Sequence, residues 1–276
     1  MIQKSKTVSS RVSSLLLGIL LGLMAVMACF PFVYMLLLSF TQASSLRFSF
    51  SDIHLNFVNY IDVFRRTKFM VPLWNSIIVS VCTCVLNCVL CSMAAYGLEK
   101  KRFRGSKAVF AIYMATLAVP GQVTMIPVFL MMRDMGLMNS YIALILPSCD
   151  AFGVFLIKQF MSSVPDELLE AAQIDGAGEI YRFNRIVVPL IAPALISLTV
   201  FTFISAWNNF LWPLIICTDS KMQTLTVALA LLKGKFDTNY GLVMAGSTLT
   251  FFLPFVLYAT LQKQFVEGIA LSGVKG

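Results

Sequence analysis

Six apolar runs, each long enough to cross a bilayer, constrain the fold of this 276-residue chain more than any other feature. A helix needs about 20 apolar residues to span the hydrocarbon core, and lipid leaves no water to satisfy an open backbone. The runs cover roughly residues 14–40, 73–98, 108–132, 141–160, 189–217 and 242–261. The sequence therefore predicts an all-α membrane protein with about six transmembrane helices, forming one transmembrane domain over residues 1–276.

Composition and charge placement support the same class. Hydrophobic residues make up 58% and charged residues 12% of the chain, whose net charge is +8. The basic residues gather beside apolar runs, as at Lys4, Lys6, Arg11 and 100–107, so they indicate topology rather than nucleic-acid binding. With the first run taken as an uncleaved anchor, both termini and the loop 161–188 are expected to face the cytoplasm.

Prolines mark interruptions within this pattern. The third run carries Pro120-Gly121 and Pro127, and we expect the helix to break at both places. The segment Thr224–Leu232 is apolar but too short to cross, which predicts an external or partly re-entrant helix.

The most charged segment extends from Pro165 to Pro193, after the fourth run and into the start of the fifth. Helical spacing after a Ser163 cap predicts a short helix that ends where Gly176 adopts a positive φ. A second short helix follows, predicted to carry Ile180, Phe183 and Val187 on one face. Alanines flanked by carboxylates make this helix pair suited to docking another protein, although a plain surface loop would share the pattern.

Polar residues inside the apolar runs are the candidates for a substrate pathway. Asp150 lies near the middle of the fourth run, where a carboxylate either faces a cavity or forms a helix–helix contact. In the fifth run, two adjacent amides lie beside aromatic rings in a pattern that suits a sugar, at Trp207, Asn208, Asn209 and Trp212. An interfacial aromatic belt is the alternative for these four residues.

Several kinds of chemistry have no support in the sequence. The chain has seven cysteines, an odd number placed mostly within apolar runs, which favours packing over disulfides. Cys84, Cys88 and Cys91 have the spacing of a radical-SAM cluster motif, but they lie in mid-span, where packing is favoured. With one histidine and no phosphate-binding loop, we expect no catalytic residue, no metal and no cofactor in this chain.

The charged loop resembles the EAA loop of permeases from ATP-binding-cassette (ABC) importers. The matching residues are Glu170, Ala171, Ala172, Asp175, Gly176, Ala177, Phe183, Ile186, Pro189 and Pro193. The resemblance implies that this loop is a coupling helix, which docks in a cleft of an ATP-hydrolysing subunit.

Further segments resemble the carbohydrate-uptake type of these permeases over about residues 70–276. They are 120–127, 136–147, 152–160, 207–213 and 264–276. The resemblance implies a bacterial cell-membrane (inner or cytoplasmic) location, a second and different permease subunit, two ATPase subunits binding ATP and Mg, and an extracytoplasmic solute-binding protein. It also implies that the tail Gly273, Val274, Lys275 and Gly276 reaches the ATPases and that Thr224–Tyr240 reaches the binding protein.

We therefore expect a permease subunit that imports a sugar, with an oligosaccharide favoured. A polyol, a glycerol phosphate or an amino sugar is the alternative cargo, and a stand-alone secondary transporter or channel is the distant alternative mechanism. Asp150 replaces the small or apolar residue usual at its place in the family. Its carboxylate would repel anions and would favour neutral sugars.

Overall fold

The computed structural model describes residues 8–42, 56–66, 68–101, 103–235 and 239–273, apart from the side chains of 8–12, 66, 232–235 and 264–273. Within these ranges every regular element is helical. Three helices are long and apolar enough to cross a membrane, and three bent helix pairs raise the number to six if each pair is one span. The predicted all-α membrane fold is confirmed, whereas the side on which the termini lie stays a prediction.

The chain divides into two compact units, one of which combines residues 1–67 with residues 232–249. In this unit, α1 (Val8–Ser39) ends where α2 (Val58–Arg66) packs beneath it. Buried Asn59 donates from Nδ2 to the carbonyls of Ser39 at 2.9 Å and Thr41 at 2.7 Å, which satisfies backbone groups that the helix end leaves open. The side chains along most of α1 are exposed and apolar, as expected for a helix in contact with lipid or another subunit.

The other unit combines residues 68–231 with residues 250–276 and is built around α3 (Met70–Glu99). This helix packs against α7 (Ala151–Met161) and α11 (Ala192–Trp207). Cys84 and Cys91 are buried in these contacts, and all seven cysteines are unpaired. The described residues contain no group of three or more His, Cys, Asp or Glu side chains arranged to hold a metal ion.

Gly153 allows α7 to approach α3 closely. A Cβ atom at this position would lie 2.5 Å from Cys91 Sγ and 3.1 Å from Leu198 Cδ1. Because interiors are close-packed, the missing side chain is part of how the three helices fit together.

Two of the bent spans lie between α3 and the charged loop. α4 (Ser106–Thr116) and α5 (Gly121–Asp134) meet at 98°, which confirms the predicted break at Pro120. α6 (Tyr141–Ile145), extended by a 3₁₀ turn, meets α7 at 49° across a break at Cys149 and Asp150 that the sequence did not predict.

The predicted break at Pro127 is wrong, since α5 continues through this residue. The proline ring fixes φ near the helical value, so its main consequence is one missing N–H bond to the preceding turn. Proline is tolerated inside membrane helices where the surroundings satisfy the freed carbonyl group.

The fifth span is also interrupted. α11 ends at Trp207, and α12 (Leu211–Ile216) starts after three non-helical residues. Trp212 anchors this short helix, because its indole Nε1 donates to the Ala143 carbonyl at 2.8 Å.

The chain continues into α13 (Leu225–Lys235). This helix begins within Thr224–Leu232, the segment that the sequence predicts to form a short external or partly re-entrant helix. α14 (Tyr240–Gly273) is longer than the predicted sixth run, because helical backbone continues beyond the apolar residues.

Candidate functional site

The charged loop folds as the predicted helix pair, and its first helix is α8 (Asp166–Ile174). The predicted Ser163 cap is wrong: Pro165 is the N-cap residue, and the Ser163 hydroxyl donates to the Phe160 carbonyl at 2.7 Å. Asp166 and Glu167 lie in the first turn, where they face the positive end of the helix dipole.

Gly176 ends this helix with a φ of +83°, as the sequence predicts. Its N–H bonds to the Gln173 carbonyl at 3.0 Å, and the Ala177 N–H bonds to the Ala172 carbonyl at 2.9 Å. This pair of bonds is the Schellman arrangement, which closes helix ends through a left-handed residue. Ala172 and Ala177 are both partly buried at this turn.

The second helix of the loop is less regular than predicted. α9 (Glu179–Arg182) runs into a π-helical turn (Phe183–Val187) and then into α10 (Val188–Leu190). The single predicted face is wrong, because Ile180 is 78% exposed whereas Val187 is fully buried. A π turn adds one residue per turn and so rotates the later side chains away from the α-helical register.

Two lysines at the end of α3 fix the loop in place. Lys100 Nζ, on a buried side chain, donates to Asp166 Oδ1 at 2.6 Å and also to the Val164 carbonyl. Lys101 Nζ donates to Glu179 Oε2 at 2.6 Å.

Aromatic residues and an arginine complete this attachment. The Tyr96 hydroxyl donates to Glu179 Oε1, and the Tyr96 ring packs edge-on against Phe183 with 5.2 Å between the centroids. Arg182 joins the two loop helices by donating to Gln173 Oε1 at 2.8 Å and to Glu179 at 2.6 Å. The loop is therefore attached to α3 through polar and apolar contacts together.

The outer face of the loop carries apolar side chains next to carboxylates. Ile174 is 86% exposed, and Leu168, Ile180 and Tyr181 are exposed as well. The other exposed residues of the motif are Glu170, Ala171, Asp175 and Gly176. An apolar surface with an acidic rim, attached to α3 from behind, has the chemistry of a protein-docking site.

A second candidate site is a cavity of about 640 Å³ where the breaks of the third, fourth and fifth spans meet. Each break contributes polar groups, including Gln122, Ser148 and Asn208. Irregular backbone at membrane depth occurs where it borders a cavity or protein, and transporters place their substrate sites at broken helices.

The structure brings four of the five predicted pathway residues to this cavity. Asp150, Asn208, Asn209 and Trp212 line it, whereas Trp207 does not. The Trp207 side chain is buried, stacks on Phe203, and donates from Nε1 to the Thr250 carbonyl at 3.2 Å. Its ring is therefore not available to stack on a sugar in this structure.

Asp150 is also the N-cap residue of α7, where Oδ1 accepts a hydrogen bond from the Gly153 N–H at 3.1 Å. It borders a smaller cavity of about 310 Å³ between α3, α4 and α7 as well. Asn87 contacts the break in the fourth span as well, because its Nδ2 donates to the Ser148 carbonyl at 3.2 Å.

Sequence reasoning missed other lining residues, among them Thr83, Thr124, Thr202 and Ser205. Single hydroxyls within apolar runs are common, so these four gave no signal of their own. Pro147 just before Asp150 was the available signal for the break, because helices usually end before a proline.

The predicted tail site, Gly273 to Gly276, lies outside the described residues except for the backbone of Gly273, which ends α14. The predicted contact segment Thr224–Tyr240 is described only in part, with 236–238 outside.

Known proteins with similar sequences include permease proteins of sugar transport systems. The arabinooligosaccharides transport system permease protein AraQ of Halalkalibacterium halodurans is 33% identical over 98% of this chain and 100% of its own length. The lactose transport system permease protein LacG of Rhizobium radiobacter is 32% identical over 92% of this chain and 94% of its own length.

A solved structure of a transporter is also similar to this chain. A bacterial ABC transporter involved in the import of the acidic polysaccharide alginate contains a chain with a TM-score of 0.83 and 25% identity, covering 95% of this chain and 100% of that one. The model of the family described as binding-protein-dependent transport system inner membrane component matches residues 87–270. The chain therefore belongs to this family of membrane permeases.

Proposed function

We propose that this chain is the permease subunit of an ATP-driven, binding-protein-dependent importer for a sugar, with an oligosaccharide as the expected cargo. Its relatives are named for arabinooligosaccharides, lactose and alginate, which supports a carbohydrate substrate. A second, different permease subunit completes the pathway, and two ATPase subunits bind ATP and Mg. An extracytoplasmic solute-binding protein delivers the sugar.

The observation that carries this proposal is the docking face of the charged loop. Ile174 and Ile180 are exposed to an extent that is unfavourable in water, while Glu170 and Asp175 border them. We infer that the ATPase subunit covers this face and that the carboxylates set its orientation.

The helix α3 connects the loop to the cavity, so we infer that it transmits movement of the loop to the cavity. Lys100, Lys101 and Tyr96 hold the loop at one end of this helix, and Thr83 lines the cavity on the same helix. The helix rise of about 1.5 Å per residue separates Tyr96 from Thr83 by roughly 20 Å. Closure of the ATPase dimer would shift the loop and α3 together and so change the population of inward-open and outward-open states.

Two further contacts belong to the same proposal. The tail Gly273–Gly276 extends toward the ATPase dimer, and the segment Thr224–Tyr240 contacts the solute-binding protein. Both assignments rest on the family resemblance of these segments.

The test is association with the ATPase. Ile174→Asp in the assembled complex should lower co-purification of the ATPase subunit at least about tenfold, because a charge replaces an apolar anchor of the interface. The matched control is Ser162→Asp, which adds the same charge at an exposed position before α8. If Ile174→Asp retains the ATPase as well as wild type does, the loop is not the docking site. If both variants lose it equally, the effect is one of general charge.

A further inference from the structure

Asp150 occupies a special position between the two cavities described above. It is the only residue within the described part of the chain that lines both of them. One carboxylate oxygen caps α7 through Gly153, and no described lysine or arginine forms an ion pair with the side chain. The carboxylate therefore keeps accepting capacity for a ligand in either cavity.

Thr83 provides an independent observation on the wall of the larger cavity. It is 1% exposed, and its hydroxyl has no hydrogen-bond partner among the described residues. The hydroxyls of Ser92, Ser197 and Thr199 instead donate to the carbonyls four residues earlier, which is the usual solution in an apolar helix. Ser80, one turn before Thr83, is also unpartnered, but it does not line the cavity.

We propose that this chain itself carries a substrate subsite, centred on Asp150 and Thr83, that takes uncharged or cationic hydroxyl-bearing ligands and rejects anionic ones. This inference rests on the proposed function of sugar import and adds the charge class of the substrate. The subsite lies at the break in the fourth span, so a sugar meets it while crossing the membrane.

The chemistry of the subsite explains why it would select ligands by their charge. A carboxylate accepts hydrogen bonds from sugar hydroxyls or from an ammonium group, and these charge-assisted bonds are the stronger kind. The free Thr83 hydroxyl donates to a ring or hydroxyl oxygen, which satisfies a group that is otherwise buried without a partner. The amides of Gln122 and Asn208 line the same cavity and bond equally well to neutral ligands. A uronate or phosphate brought here would face the Asp150 carboxylate in a medium of low dielectric constant.

The first experiment uses Asp150→Asn in the complete importer, reconstituted with its partner subunits and binding protein. Asparagine also caps helices well, so the variant removes the charge and keeps the turn. Initial uptake is measured for a neutral sugar and for its uronate or amino counterpart. Both are chosen among sugars that the binding protein binds, and each is supplied bound to saturated binding protein. Wild type should favour the neutral or cationic member of the pair, and Asp150→Asn should shift the ratio toward the anion, or away from the cation, by about tenfold or more.

The second experiment needs only one transported sugar. Thr83→Val replaces the hydroxyl with a methyl group and should raise the KM for loaded binding protein or lower uptake several-fold, whereas Thr83→Ser should stay near wild type. Unchanged substrate ratios in Asp150→Asn, together with equal uptake by the two Thr83 variants, would overturn the subsite. Absence of ATP-driven sugar uptake by wild type would instead overturn the proposed function.

Discussion

The left-handed turn at Gly176 gives the sharpest prediction about coupling. A residue with a Cβ in this conformation costs about 1–2 kcal/mol, and more if it is β-branched. A Cβ built on Gly176 meets no atom within 4 Å, so the cost comes from the backbone alone. Such a penalty lowers the ratio of intact to opened turn by roughly 5- to 30-fold. Gly176→Val should therefore disturb the docking face without disturbing the membrane core.

The assay is ATP hydrolysis stimulated by sugar-loaded binding protein, normalised to the amount of complex in the membrane. We expect activity to fall in the order wild type, Gly176→Asn, Gly176→Ala, Gly176→Val, because asparagine tolerates positive φ better than the other two. Transport should fall in the same order. Full activity of a well-expressed Gly176→Val variant would refute this account of the turn, and so would equal loss in the Asn and Val variants.

Three further predictions concern packing, attachment and docking. Gly153→Ala should lower thermal stability because its Cβ overlaps Cys91 Sγ, and the added change Cys91→Ala should restore much of it. Tyr96→Phe removes the hydroxyl bond to Glu179 and should cost on the order of 1 kcal/mol, measured as faster hydrogen exchange in the loop at unchanged membrane levels. Glu170→Lys reverses a charge on the docking face and should weaken co-purification of the ATPase, whereas Glu170→Gln should do so less.

The sequence predicts features that depend on local chemistry. Hydropathy locates the spans because lipid leaves the backbone few alternatives to a helix. The turn at Gly176 was predictable because glycine alone occupies positive φ without strain. The break at Pro120-Gly121 follows from the same kind of backbone constraint.

Features that depend on tertiary contacts were not predictable in this way. Pro127 stays inside α5, and Trp207 is buried because Phe203 and the Thr250 carbonyl are next to it. Asp150 was recognised as unusual, but its place at a helix break depends on how the fourth span packs against α3. The partnerless hydroxyl of Thr83 shows only once the neighbouring helices are in place.

The most direct test of the central claim is sugar uptake into proteoliposomes that contain this chain, its partner permease and the ATPase, with the binding protein outside. Uptake should require ATP on the side of the membrane where the ATPase subunits lie and loaded binding protein on the opposite side. It should stop when the ATPase subunit is left out or cannot hydrolyse ATP. Sugar uptake by this chain without the ATPase, driven by an ion gradient, would contradict the account.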